Sequence, residues 1–160
     1  MSRAWVLPVI IASLAAAFVA LMGATMTEIG PWYHGLVQPK WAPPDAAYGV
    51  AWTSIYACTA LAGVYGWLAT PTSRGREWLI GLFALNGFLN IVWSMLFFHW
   101  HRPDLAMAES VLLWVSVASL IMAVRPHSRA ATAFLLPYLA WVTFAMSLNW
   151  MVIQLNGSFT

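Results

Sequence analysis

Charge is what this sequence has least of. Asp, Glu, Lys and Arg make up 8% of its 160 residues, against about 25% in soluble domains. With 62% hydrophobic residues, that scarcity excludes a soluble globular protein. Cysteine is nearly absent: Cys58 stands alone, so no intrachain disulfide can form. The apolar stretches hold no carboxylate pair, no Ser-His-Asp set and no Gly-rich phosphate loop. Of the five acids, Glu28, Asp45, Glu77 and Asp104 fall in expected loops. Glu109 falls about one turn inside a helix, where it is expected to snorkel or cap. This distribution argues against a proton-driven pump, which needs buried titrating groups. Strict polar alternation is missing too, as in Val111 to Val124, which excludes a β-barrel. The net charge of +2 forms no basic patch, so no nucleic-acid partner is expected.

What is present is length of apolar chain. A hydrocarbon core about 30 Å thick needs roughly 20 mostly apolar residues per helix. Five stretches qualify, at about 5–26, 46–68, 78–98, 105–124 and 131–155. The expected fold class is therefore all-α, a five-transmembrane-helix bundle forming a single integral membrane domain over 1–160. Arg3 before the first apolar run looks like a secretory leader. The run is longer than such a leader's apolar region and no soluble domain follows, so it is expected to stay as a helix.

Positive charge sorts the loops. Arg3, Arg74, Arg76, Arg125 and Arg129 fall on one side, Lys40 and Arg102 on the other. Cationic loops are retained in the cytoplasm. The expectation is a bacterial inner membrane with the N-terminus cytoplasmic and the C-terminus outward.

Eleven tryptophans are the strongest compositional feature. An interfacial aromatic belt explains Trp5, Trp67, Trp78 and Trp100 at span ends. The others fall into stripes. Trp52 and Tyr56 are four apart, about 9 and 15 Å deep in the second span. Asn86, Asn90, Trp93 and Phe97 make a stripe on the third, and Tyr138, Trp141, Ala145 and Asn149 one on the fifth. The three overlap in the outer half of the bundle. Intramembrane asparagines avoid lipid, so Asn90 and Asn149 either bond to each other or to carbonyls as glue, or face a ligand. An aromatic wall with a few amides suits a flat, largely apolar molecule.

Over this half runs the longest connection, about 27–45, with Pro31, Pro39, Pro43 and Pro44. Prolines make it irregular and fairly rigid, as expected of a lid; its Trp32, Tyr33, His34 and Trp41 also suit an interfacial anchor. Ala12, Ala16, Ala20 and Ala24 line one face of the first helix, either for packing within the bundle or for a homodimer seam. His99 and His101 would point to nearly opposite faces of a helix end, so they are read as interfacial. No metal site is expected.

At these residues the chain resembles the TspO/MBR family, the tryptophan-rich sensory proteins related to the mitochondrial translocator protein. The resemblance runs through Trp32-Tyr33, Leu36, Pro39, Trp41-x-Pro43-Pro44, Tyr48 and Ala51-Trp52-x-x-x-Tyr56. It continues with Asn90-x-x-Trp93, Phe97-Phe98, Pro137 to Trp141, Phe144-Ala145 and Leu148-Asn149. It implies a five-helix bundle, commonly dimeric, that binds porphyrins such as protoporphyrin IX or haem as ligand and requires no cofactor. By motif, the pocket would include Trp41, Trp52, Asn90, Trp93, Trp141, Ala145 and Leu148; the stripes add Tyr56 and Asn149. His34 in the lid could touch a tetrapyrrole iron. The implied function is sensing, sequestration or transport of tetrapyrroles. Alternatives are light-dependent porphyrin degradation, with Trp52 and Trp141 as the reacting residues, and transport of lipid or other small apolar molecules. Asn86 stands where relatives often carry Gln, and Ser94 where many carry Pro. Gln154 replaces the arginine of the animal cholesterol motif, so cholesterol recognition is not expected.

Overall fold

The computed structural model describes residues 5–157 and 159; Arg3, counted above for topology, lies outside them. Five long helices, each long and apolar enough to cross a membrane, carry the chain: α1 (Val6–Met26), α3 (Asp45–Ala69), α4 (Ser73–Ser94), α5 (Pro103–Val124) and α6 (Arg129–Asn156). A short α2 (Pro31–Gly35) lies in the first connection, and α4 runs on into a π-helical turn, Met95–His99. No strand occurs among the described residues. The protein is an all-helical integral membrane protein.

The helices pack in a closed ring, α1 against α3, α3 against α6, α6 against α5, α5 against α4, and α4 back against α1. Small residues set the closest approaches. A Cβ on Gly87 would stand 2.9 Å from Val19 Cγ2, so α1 and α4 meet at a residue without a side chain. Between α3 and α1 the fit is looser: a Cβ on Gly63 would stand 4.0 Å from Ala12 Cβ, an ordinary contact. Core side chains then fill in by level: Leu120, Val124, Ala131 and Leu135 at one end, and Leu113, Val117, Tyr138 and Val142 in the middle. Leu96, Phe97, Ala106 and Val152 fill the end beneath the first connection, here called the lid end.

The expected spans hold, with shifted ends. The third begins at Ser73 instead of 78 because the Thr72 hydroxyl accepts the Gly75 N–H at 3.1 Å, capping the helix early. Arg76 therefore lies in a first turn, where its Nε donates to Thr70 O at 2.9 Å and its guanidinium covers the Trp67 ring. Ser128 caps α6 in the same way through Ala131 N–H.

Glu109 corrects its expected role. It is 7% exposed and neither carboxyl oxygen has a hydrogen-bond partner. The reason is helical phase: it falls on the buried stripe of α5 with Ala106, Leu113 and Val117, so it faces protein and cannot reach the surface.

Candidate functional site

At the lid end the chain must satisfy polar backbone without helices around it, and it does so with specific clamps. Asn156, in the last turn of α6, accepts the Val37 N–H at 2.8 Å and donates to Val37 O at 3.0 Å. Trp32 stacks on His101 at 4.2 Å between ring centroids and meets Phe97 edge-on. His101 adopts φ 55°, uncommon for a side-chain-bearing residue, in the turn between the π turn and α5. That turn leaves His99 at the end of the π turn and carries only His101 off the helix, where it serves as a shelf for the lid. Tyr33 packs on Phe98 and donates its hydroxyl to Asp45 Oδ1 at 3.4 Å. Burial, then the neighbouring Tyr48 and Asp45, push the Tyr33 phenol well above its usual range, so it stays a neutral donor. His34 is exposed beside Tyr33.

Beneath the lid is a cavity of about 110 Å³. Its walls are aromatic: Trp52 from α3, Trp93 from α4, Phe97 and Phe98 from the π turn, and Trp141 from α6, with Tyr33 and Tyr48 from the lid side. Trp52 meets Trp141 edge-on at 6.3 Å, and Trp93 stacks on Phe97 at 5.3 Å. The π turn matters here. In an α-helix Phe97 and Phe98 would diverge by about 100°, from 3.6 residues per turn; the wider turn lets both border the cavity.

Several polar atoms in these walls are buried without partners: Gln38 Oε1, Trp141 Nε1, and both amide atoms of Asn149. Buried polar groups are normally bonded, and an exception asks for an explanation. Here they offer a donor, an acceptor and an amide that is both, around one apolar space.

Of the residues expected at the site, the cavity brings together Trp52, Trp93, Trp141, Ala145, Leu148 and Asn149. Trp41 does not line it; half exposed, it packs edge-on against Phe144 behind Trp141. Tyr56 and Asn90 lie below it. Tyr56 stacks under Trp52 at 5.5 Å and donates to Asn90 Oδ1 at 2.8 Å, while Asn90 Nδ2 donates to the Tyr138 hydroxyl at 3.2 Å. Asn90 thus bonds to two tyrosines and not to Asn149. Gln38, Ser94 and Val152 were missed by sequence reasoning. A lone amide between Val37 and Pro39 in an apolar lid was the available signal for Gln38.

Tyr56 and Tyr138 border a second, larger space instead. A crevice of about 830 Å³ opens between α1, α3 and α4, walled by Leu7, Ile11, Phe18, Trp67, Phe83 and Phe88. Its rim residues Leu7, Ile11, Phe18 and Phe88 are all more than half exposed, so it is open to the lipid. Asn86 on its floor donates to Ser116 Oγ at 2.9 Å.

The profile of the TspO/MBR family matches residues 7–155. The chain is 37% identical over 144 residues to the tryptophan-rich protein TspO of Chlorobaculum tepidum, covering 86% of this chain and 89% of that one. It is 30% identical over 144 residues to the tryptophan-rich sensory protein of Cereibacter sphaeroides, covering 87% and 89%. With the human translocator protein it shares 29% over 126 residues, 78% of this chain and 75% of that protein.

Proposed function

The chain belongs to the TspO/MBR family, and from that premise we propose that it binds a tetrapyrrole such as protoporphyrin IX or haem under the lid, in sensing, sequestration or transport. The observation that carries this reading is the cavity itself, where three tryptophans from three helices surround buried polar atoms that lack partners. Indole faces suit a flat conjugated ring, and the unpaired amides and indole N–H suit its polar substituents.

The cavity as it stands, about 110 Å³, is below the roughly 300–1,000 Å³ of small-molecule sites. Binding therefore includes a lid-opening step that releases the Val37–Asn156 and Trp32–His101 contacts. The Arg74, Arg76, Arg125 and Arg129 cluster at the end opposite the lid supports a lid facing outward and a cytoplasmic far end, in a bacterial inner membrane.

The test is a titration of protoporphyrin IX into detergent-purified protein in the dark, read by Trp fluorescence. Saturable quenching, weakened by Trp52→Ala and by Asn149→Ala, is expected. Unsaturable quenching that neither variant alters would mean partition into detergent and would overturn the reading. A second reading, light-dependent degradation of the bound porphyrin, is favoured by Trp52 and Trp141 bordering one cavity at 6.3 Å. Equal pigment loss under light in wild type and in Trp52→Phe/Trp141→Phe would exclude it. A third reading, transport of lipid or a small apolar molecule, draws on the lipid-facing crevice; flux into proteoliposomes no greater than into empty vesicles would remove it.

A further inference from the structure

We propose that Glu109 and Asn149 form a proton-binding pair inside the membrane, a neutral carboxylic acid docked on a carboxamide. The pair is proposed for the ligand-free protein and does not need the tetrapyrrole reading; because it engages the Asn149 amide that reading also uses, a ligand bonded to Asn149 would displace the acid.

The pair follows from register. Along the α5–α6 interface, Ala106 and Val152 share the cluster nearest the lid, while Leu113 and Val142 share the next one down. Trp114 Nε1 donates to Thr143 Oγ1 at 2.9 Å and fixes that alignment. Glu109 is three residues below Ala106, and Asn149 three below Val152 on the antiparallel helix. Both therefore sit about 4.5 Å below the same level. Glu109 is 7% exposed and Asn149 2% exposed. All four of their side-chain polar atoms lack partners: Glu109 Oε1 and Oε2, and Asn149 Oδ1 and Nδ2.

An ionised carboxylate here would need a cation, and among the described residues none faces it. From α6 the ionisable side chain on this interface is Tyr138, whose hydroxyl is already engaged by Asn90. Helix α4 carries no ionisable side chain between Glu77 and the His99 of the π turn, and His99 is exposed. Tyr56 of α3 is bonded to Asn90. On α5 itself, Arg102 and Asp104 are paired with each other nearer the surface. A carboxyl in such a setting takes up a proton instead of staying charged.

The protonated acid has one donor and one acceptor, and the amide offers the complement. The acid O–H donates to Asn149 Oδ1, and Asn149 Nδ2 donates to the acid C=O. One proton, with side-chain rotations that bring the two groups together, satisfies all four atoms at once. No bond is made or broken beyond the O–H, and the proton comes from water.

The experiment is infrared difference spectroscopy of the protein in an ester-free maltoside detergent, stepping from neutral to alkaline pH, without porphyrin. Wild type should show a protonated carboxyl stretch at neutral pH that is lost as the pH rises. Glu109→Gln, which keeps the shape and the two-bond pairing with Asn149, should lack that band. Asn149→Leu should move it to the frequency of an unbonded acid. Should Asn149→Leu fail to fold, Asn149→Ala tests the same shift. Identical neutral-pH spectra for wild type and Glu109→Gln would overturn the proton site; a band unmoved by the Asn149 changes would overturn the pairing. Melting gives a second readout. A group protonated when folded and ionised when exposed loses its stabilising contribution as pH rises. The wild-type Tm should thus decline between mildly acidic pH and the pH at which the carboxyl band is lost more steeply than that of Glu109→Gln. Parallel profiles would count against the proton site.

Discussion

The two spaces in this bundle invert the usual relation between size and specificity. The crevice between α1, α3 and α4 is the larger, about 830 Å³ against about 110 Å³. Yet of the polar side chains lining it, Tyr56 bonds to Asn90, Asn86 to Ser116 and Tyr138 to Asn90, leaving Thr59 Oγ1 buried without a partner, against four such atoms around the smaller space. What remains is a greasy surface open to the bilayer, suited to acyl chains and selective for little. The smaller cavity is closed by a clamped lid and lined by atoms whose hydrogen bonding is unmet. Discrimination comes from buried polar groups that a wrong occupant leaves unpaired, more than from apolar area. The wall between the two spaces is the Trp52–Tyr56 stack, braced by Asn90.

The largest effect should come from the cavity side of that wall. Trp52→Ala removes the ring that meets Tyr56, Tyr138 and Trp141. Porphyrin affinity by dark quenching should fall by more than about tenfold, or about 1.4 kcal/mol; a change within twofold would place the ligand elsewhere. Next is the brace. Asn90→Leu leaves the Tyr56 and Tyr138 hydroxyls without their amide, and intramembrane hydrogen bonds of this kind are each worth about 1–2 kcal/mol at most. Thermal unfolding in detergent should show that loss, and a variant as stable as wild type would mean the tyrosines find other partners. Asn156→Ala removes both bonds to Val37 and costs about 1 kcal/mol of lid closure. Porphyrin should dissociate roughly fivefold faster, and a protease should cut the 36–42 segment sooner; unchanged rates would mean the aromatic contacts alone hold the lid. The smallest effect sharpens the contrast from the other side. Ala84→Leu narrows the crevice, which Ala84 lines, without reaching the cavity. Porphyrin affinity should stay within about twofold, and a fall as large as that of Trp52→Ala would erase the distinction between the two spaces.

Much of this is legible in the sequence, for physical reasons. Lipid demands continuous apolar helices, so the five spans could be counted, and prolines marked the lid because they cannot propagate a helix. Stripes at spacings of three and four also brought Trp52, Trp93, Trp141 and Asn149 to one end. Spacing alone could not separate Trp52 from Tyr56. The two share a face, but one turn of depth puts them on opposite sides of a wall that exists only once α4 is packed. Trp41 carries the motif without the contact, because its ring direction depends on the irregular backbone around it. Glu109 was misplaced because its nearness to a helix end suggested an exit to water, while the phase of α5 decided otherwise. Nothing in the residues Met95–His99 announced a wide turn, since the extra residue is accommodated by packing and not by composition.

That wide turn gives the third span a spare residue. Deleting a single residue from Met95–His99 would let the segment relax to a regular helix. The rest of that turn and the short connection to α5 would then be reeled in and rotated, much as a gear slips by one tooth. Phe98 would swing off the cavity, and the shelf at His101 would be drawn away from Trp32, while the bundle below kept its register. Insertions or deletions here would thus retune the roof of the molecule without disturbing its foundations, whereas the same change placed below Trp93 would shift the roof and the bundle together.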